Sequence, residues 1–403
     1  MSATLKSPKY RSLNSMAKKL RKDLNGVRRK KKTTRSKGIT PIKGVDFILI
    51  FAHNGVGKTR LSMDFKDIGK GGGKRDTLYF NAFTEDLFDW DNDFENDQER
   101  KLKFKSHSQF FTGLDGMGIE NQIRPHLHRY ADFDFTINYE ESEITFHRDV
   151  LIKGRSERIG GIKISRGEEN IFIWCFFLAI AQLAIEAEKG EPYDWVKFIY
   201  IDDPISSLDE HNSITVASQL AKLLKAGKDK MKVVISTHHG LFFNVMFNEL
   251  KSGKTASGEK LEITKKAYIL HRPQGSITYS LRDTGETPFL HHMFALSELQ
   301  KAKKSGEIYP YHFNTLRSIL EKTAIFFGSQ HISTCFDGIE ERALYSRFLN
   351  VKSHTKYSIY EPEVLSDTDK KMFGKILDAF LARYPFNTAL WPSEPTPKAA
   401  LTS

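Results

Sequence analysis

Cysteine is nearly absent from this sequence. Cys175 and Cys335 stand 160 residues apart, which fits neither a disulfide framework nor a zinc-ligand spacing. Also missing is any unbroken run of about 18 apolar residues, the length a membrane-spanning helix needs. The opening stretch MSATLKSPKYRS has no apolar centre of the kind a secretory signal carries. No internal repeat and no sustained heptad pattern is present, which argues against a solenoid or long coiled-coil arms. With 403 residues and 39% apolar content, the chain has enough to bury a full core in two domains. These absences lead us to expect a soluble, cytoplasmic protein with no membrane partner.

Acidic residues are scarce in one place. Residues 1–40 hold fourteen Lys or Arg against a single carboxylate, Asp23, so this stretch carries +13 of a total of +11 and the remaining 363 residues sum to −2. Such a leader suits polyanions, because neutralising phosphates releases their counterions. The bland alternative is a solvated, flexible tail over 1–40, and that is the organisation the composition predicts.

Beyond the leader, strands and helices alternate. The apolar runs FILIF at 47–51, WVKFIYI at 195–201 and KVVIS at 232–236 read as buried strands. The long apolar segment from Gly167 reads as a helix lying against a sheet, while 69–73 and the acidic 89–99 read as loops. The pattern predicts a largely parallel α/β domain over 41–270. Beyond Pro288 the pattern is mainly helical, broken at Gly306, Gly328 and Gly338, which gives a second domain over 271–390 and a flexible tail over 391–403.

Residues 52–59 (AHNGVGKT) come after the first strand with the spacing of a phosphate-binding loop. There Asn54, Gly55 and Gly57 bring backbone amides to phosphates, Lys58 reaches the β and γ oxygens, and Thr59 helps hold Mg²⁺. The strand at 198–201 ends in Asp202 and Asp203. Asp202 is the expected metal carboxylate and Asp203 stands where a base or water-orienting carboxylate belongs. The run SSLD at 206–209 ends in Asp209, at the usual distance for a loop linking two nucleotide sites. The strand ending STH at 236–238 brings His238 toward a γ-phosphate. Finally ISRGE at 164–168, just ahead of the long helix, resembles the ABC signature, with Arg166 where one glycine is usual. Ser165, Gly167 and a helix N-terminus there make an anion site. In ABC proteins that contact crosses to nucleotide on another subunit, so one set of motifs implies a homodimer or higher oligomer. The expected cofactor is ATP and/or GTP with Mg²⁺.

In the second domain Arg317 and Glu321 stand four apart and share a helix face, with His354 further on. An isolated Arg-x-x-x-Glu is by default a surface ion pair. Together the three could cut RNA without a metal: Glu321 and His354 would share the acid and base roles, and Arg317 would bind the phosphate. Which of the two is the base stays open.

With those residues in hand, the sequence resembles the bacterial anticodon nucleases of the PrrC family. The likeness runs through YFNAFTEDLF at 79–88 with WDND at 90–93, ISRGEE at 164–169 with FIW at 172–174, and IDDPISSLD at 201–209. It continues through FNVMFNEL at 243–250, YHF at 311–313, LR at 316–317, EKTA at 321–324 and NVKSH at 350–354. The resemblance implies a P-loop ABC-type ATPase head controlling a helical nuclease whose catalytic Arg, Glu and His are Arg317, Glu321 and His354. It implies cleavage of lysine tRNA at the anticodon stem-loop, 5′ to the wobble base, to a 2′,3′-cyclic phosphate and a 5′-hydroxyl. It further implies silencing by a type I restriction–modification complex and a role in phage defence, with Asp283, Glu286 and Thr287 in the region that reads the wobble base. The competing reading is an ABC-type defence or DNA-repair ATPase whose C-terminal part only docks a partner. Repair ATPases of this class carry long arms between phosphate loop and signature, and here Lys58 and Ser165 are 107 residues apart.

Overall fold

The computed structural model describes residues 8–30, 39–70, 75–81, 87–91, 100–108, 110–111, 114, 116–152, 155–204, 210–254, 258–272, 277–285, 290–329, 331–336, 365–384 and 386. The chain divides into two compact units that meet in sequence at 288/289.

In chain order the first unit begins with β1 (Lys9–Tyr10), α1 (Leu13–Asn25), and β2 (Val27–Lys30) paired antiparallel with β3 (Ile39–Ile42). Next come β4 (Phe47–Phe51), α2 (Lys58–Ile68), β5 (Thr77–Asn81), β6 (Phe88–Asp91), β7 (Lys101–Phe104) and α3 (Glu120–Leu127). After these stand β8 (Asp134–Asn138), β9 (Glu143–Ile152), β10 (Arg155–Gly160), α4 (Arg166–Glu186), β11 (Phe198–Asp202), α5 (Glu210–Ala226) and β12 (Lys232–Thr237). The unit closes with α6 (Gly240–Glu249), β13 (Gly253–Lys254), β14 (Lys260–Leu261), β15 (Lys265–His271) and β16 (Tyr279–Asp283).

Its main sheet runs β1-β16-β15-β4-β12-β11-β5. The stretch from β15 to β5 is parallel, and β16 and β1 add antiparallel at one edge. All five residues of β4 and of β11 are buried, as strands covered on both faces must be. A second, antiparallel sheet holds β6 to β10. Helix α4 is the wall the two sheets share. Trp174 and Phe177 pack on Phe80 of the parallel sheet, while Phe172 and Phe176 meet Phe135, Phe146 and Phe88 of the antiparallel one. A helix apolar all round is stable only when buried on every side. Each of these rings contributes about 1.5–3 kcal/mol by leaving water. The helix is long and apolar enough to cross a bilayer, yet it is mostly buried inside this unit.

Three expectations need correction. The leader is not a tail over 1–40, because residues from Lys9 to Asn25 form elements of the first unit. Ser12 caps α1, accepting a hydrogen bond from the Ser15 amide. Leu13, Met16, Ala17, Leu20 and Leu24 form a buried stripe at helical spacing, which joins the core made by β4, α2, β15 and β16. Arg21 fixes the helix in place, donating to Asp76 at 2.8 and 3.0 Å and to the Phe65 carbonyl, with its guanidinium over the Phe65 and Phe198 rings. Secondly, the boundary expected at 270/271 lies at 288/289, since β16 zips onto β15 and buries Tyr279, Ser280 and Leu281. Thirdly, 89–91 is strand and not loop: Trp90 packs on Phe146 and donates to Glu169 at 2.9 Å. The remaining loop residues 71–73 and 92–99, Gly338 and the tail over 391–403 lie outside the described residues.

The second unit is helical: α7 (Leu290–Ser305), α8 (Pro310–Phe326), a 3₁₀ turn (Ile332–Phe336) and α9 (Asp367–Arg383). Leu296, Leu299, Phe313, Leu316, Leu320, Cys335, Phe336, Phe373, Ile376, Leu377 and Phe380 make its core. Gly306, at φ 73°, ends α7 in the left-handed region that favours glycine.

Candidate functional site

The strand β4 delivers the chain into the 52–57 loop, and α2 starts at Lys58. Gly55 and Gly57 take φ of 78° and 109°, which side chains with a Cβ rarely tolerate. A Cβ on Gly57 would also come within 3.2 Å of Leu13, so the leader helix lies directly behind the loop. Gly57 supplies no side-chain cap to α2. The first amides of that helix are therefore available to an external anion. Lys58 is buried, donating to the Ala52 carbonyl at 3.2 Å and Asn54 Oδ1 at 3.1 Å, with Asp203 at 3.5 Å. Asn54 and Gly55 are exposed at the mouth.

The ends of β11 and β12 complete this site. Asp202 is 1% exposed and accepts from Ser236 Oγ at 2.5 Å. Burial pushes its carboxyl up, against hydrogen bonds from Ser236 and Thr59, with Asp203 adding to the rise. A buried carboxylate touching the Thr59 hydroxyl is a hard oxygen pair of the kind Mg²⁺ takes, so these residues fit that ion. Asp203 sits at φ 56°, held by its amide to the Ser236 carbonyl at 2.7 Å. Its side chain accepts from Thr237 Oγ1 at 3.2 Å and the His238 amide at 3.1 Å, and meets His238 Nδ1 at 2.6 Å. With Nδ1 turned to Asp203, His238 can present Nε2 to a ligand. Lys58, Thr59, Asp202, Asp203 and His238 thus converge.

The signature stands at the start of α4. Ser165 is its N-cap, accepting from the Glu168 amide while Glu168 accepts from the Ser165 amide at 2.7 Å. Ser165, Arg166 and Gly167 are exposed, and a Cβ on Gly167 would meet nothing within 4 Å. Arg148 holds Glu168 at 2.8 Å, and Arg166 and Trp90 hold the buried Glu169.

In the second unit Arg317 Nε donates to Glu321 Oε1 at 2.7 Å along α8. Phe313, Leu316, Ile319, Leu320 and Ala324 form the packed ridge of that helix; Arg317 lies at its margin, 21% exposed, and Glu321 turns further outward, 44% exposed. His312 caps the helix from within, its Nδ1 accepting the Tyr309 amide at 2.9 Å. Burial pushes the His312 imidazole down to about 4. Asp283 ends β16, opposite Tyr268 in the first unit's sheet, and accepts from the Gly285 amide at 2.9 Å. It therefore falls in the head and not, as expected, in the helical unit. His354, Asp209, Glu286 and Thr287 lie outside the described residues.

Sequence reasoning missed Ser236 and Thr237 as hydroxyl partners of Asp202 and Asp203, though both stand in the strand-end motif. It also missed Leu13 behind Gly57, signalled only by the Ser12 cap and the apolar stripe of α1.

The parallel sheet, the phosphate loop and the strand-end carboxylates define a P-loop ATPase head, and a family described as an AAA domain matches residues 118–381. An anticodon nuclease of Escherichia coli is 34% identical over 342 residues, covering 77% of this chain and 82% of that one. This chain belongs to the anticodon nuclease family and carries a nucleotide-binding AAA-type head. Among solved structures, the Smc head domain with an extended coiled coil bound to the C-terminal domain of ScpA, from Pyrococcus furiosus, is similar at a TM-score of 0.25 and 13% identity. That likeness covers 41% of this chain and 34% of that chain.

Proposed function

We propose that the chain is a nucleotide-regulated endoribonuclease that cuts the anticodon loop of tRNA, with lysine tRNA cut 5′ to the wobble base. Family membership supplies the substrate class. The observation that carries the chemistry is the Arg317–Glu321 contact of 2.7 Å, with Arg317 at the margin of the packed ridge of α8 and Glu321 half in water. Arg317 binds the scissile phosphate, and Glu321 and His354 share the acid and base roles. The ribose 2′-oxygen attacks phosphorus as its proton leaves, the bond to the 5′-oxygen breaks, and that oxygen takes up a proton. A 2′,3′-cyclic phosphate and a 5′-hydroxyl result, with no metal required. Asp283, Glu286 and Thr287 belong to the stretch assigned to reading the wobble base.

In the head, Asn54, Gly55, Gly57 and Lys58 bind the phosphates of ATP and/or GTP. Thr59 and Asp202 hold Mg²⁺, which neutralises phosphate charge when bound. Asp203 orients the attacking water and His238, turned by Asp203, faces the γ-phosphate. Exposed Ser165 and Gly167, with Asp209, meet nucleotide held by a second copy, which makes the working form a homodimer or higher oligomer. The family resemblance adds a silencing type I restriction–modification complex, a cytoplasmic setting and a role in phage defence.

The test is RNA from cells briefly induced for the chain or for His354→Ala. Cut ends within one anticodon loop, bearing cyclic phosphate and absent from the variant, are expected. Cut ends that persist in the variant would remove His354 from the chemistry. Purified chain that leaves tRNA intact whatever nucleotide is added would favour a C-terminal docking module.

A further inference from the structure

Among the residues whose burial is described, the only Tyr, Phe or Trp rings in the exposed class are Tyr309, Tyr311, Phe326 and Phe327. All four flank or end α8, the helix that carries Arg317 and Glu321. Scattered surface aromatics are ordinary, but none of the first unit's described aromatics is exposed to this degree.

Helical spacing puts Tyr311 on the same open side as Glu321, the outward member of the ion pair. At 3.6 residues per turn, Glu321, Ile325 and Tyr311 stand about 40°, 80° and 120° round the helix from Arg317, turning progressively away from the buried ridge, at whose margin Arg317 lies. Along the axis Tyr311 precedes Arg317 by about 9 Å, and Ile325 lies beyond Glu321 by about 6 Å. The polar pair is thus bracketed by an aromatic ring on one side and by Ile325, 74% exposed, on the other.

The ring is also held in place before any ligand arrives. Tyr309 and Tyr311 lie nearly parallel, 10° between planes with centroids 6.1 Å apart. Tyr311 packs on the His312 ring at 3.9 Å, and His312 is fixed by the Tyr309 amide. One pinned, buried imidazole therefore orients two exposed phenol rings. Unpaired bases are recognised by stacking on such rings, whatever their sequence, because every base offers a π-face.

We propose that Tyr311, backed by His312 and Tyr309, is the stacking platform for an unpaired base beside the scissile phosphate held by Arg317. This rests on the RNA-cutting reading and names the surface of that same site that grips the substrate. Tyr311 is a positioning residue: it aligns the phosphate by holding its neighbouring base and moves no proton.

The test uses the full chain and a synthetic anticodon stem-loop of lysine tRNA with 2-aminopurine replacing one loop base, scanned through the loop. Stacking quenches this fluorophore. The wild-type chain and Tyr311→Phe should quench it at one loop position, and Tyr311→Ala should not. In cleavage, Tyr311→Ala should raise KM about ten- to hundredfold, the range one stacked base supplies. Its kcat should stay within a few-fold, Tyr311→Phe should cut like wild type, and helical circular dichroism should match among all three. A Tyr311→Ala chain that quenches and cuts like wild type would overturn the platform and leave the nuclease reading standing. A wild-type chain that neither binds nor cuts the stem-loop, or full-length tRNA, in any nucleotide state would overturn both.

Discussion

Asp202 is 1% exposed and takes hydrogen bonds from two hydroxyls, whereas Glu321 keeps 44% of its side chain in water and is bound by Arg317 on its own helix. The head site is made by distant segments: the ends of β4, β11 and β12 meet there, and α1 lies behind it. The Arg317–Glu321 pair is made within one helix. Contacts that pin distant segments, such as Arg21 on Asp76, are tied to the stability of the fold, and a pair spaced by one helical turn is not. Substitutions at such pins should therefore act on folding, and substitutions of the Asp202 carboxylate or of the α8 pair on ligand binding and chemistry.

The largest effect should be kinetic. Glu321→Gln should lower RNA cleavage by about 10²–10⁴, the usual worth of a positioned acid or base, when cut ends are counted per unit time. Its denaturant midpoint should barely move, because the carboxylate it alters is half in water and an i,i+4 pair of this kind is worth about 0.3–0.5 kcal/mol. A large loss of stability in that variant would break the comparison. Conversely, Arg21→Ala should cost about 3–5 kcal/mol in denaturant unfolding of the head, since it strands the partly buried Asp76.

Acid should separate the units as well. The folded His312 imidazole is held down at about 4, while an unfolded one titrates near 6.5. The neutral ring therefore supports the helical unit above about 6.5, and up to about 3 kcal/mol of that is lost as pH falls toward 4. Asp23 in the head behaves differently. Burial pushes its carboxyl up, but Lys19, Lys266 and Tyr268 outweigh that and hold it below the usual range. Its contribution persists above the ordinary carboxylate range and is lost only as pH falls below it. Circular dichroism between pH 7 and 4 should show the helical unit loosening first, and His312→Gln should remove that transition.

The smallest expected effect is at Asp202. Burial raises its carboxyl, so its protonated form favours the fold and that advantage is lost as pH rises through the raised value. Asp202→Asn should therefore leave the nucleotide-free head at least as stable at pH 7, while abolishing any thermal shift that Mg²⁺ with nucleotide produces. A marked destabilisation without ligand would show that Asp202 serves the fold.

Much of this was readable before the structure. The phosphate loop, the strand ending in Asp202 and Asp203, and the Arg317–Glu321 spacing are local patterns whose period gives their geometry. The leader is harder to read, because its fourteen cations mask an amphipathic stripe, Leu13 to Leu24, that obeys the helix period. Arg21 meets Asp76 and Ser236 meets Asp202 across 55 and 34 residues, separations that no periodicity reports. His312 looked like part of a family motif, and nothing in its neighbours signalled that it caps its own helix.

The most direct test of the central claim is cleavage of purified lysine tRNA by the purified full chain, with EDTA present and the product ends mapped. The account predicts one cut in the anticodon loop, a 2′,3′-cyclic phosphate, and loss of the cut in Glu321→Gln with folding unchanged. Cleavage that needs a divalent metal, or that survives Glu321→Gln, would contradict it.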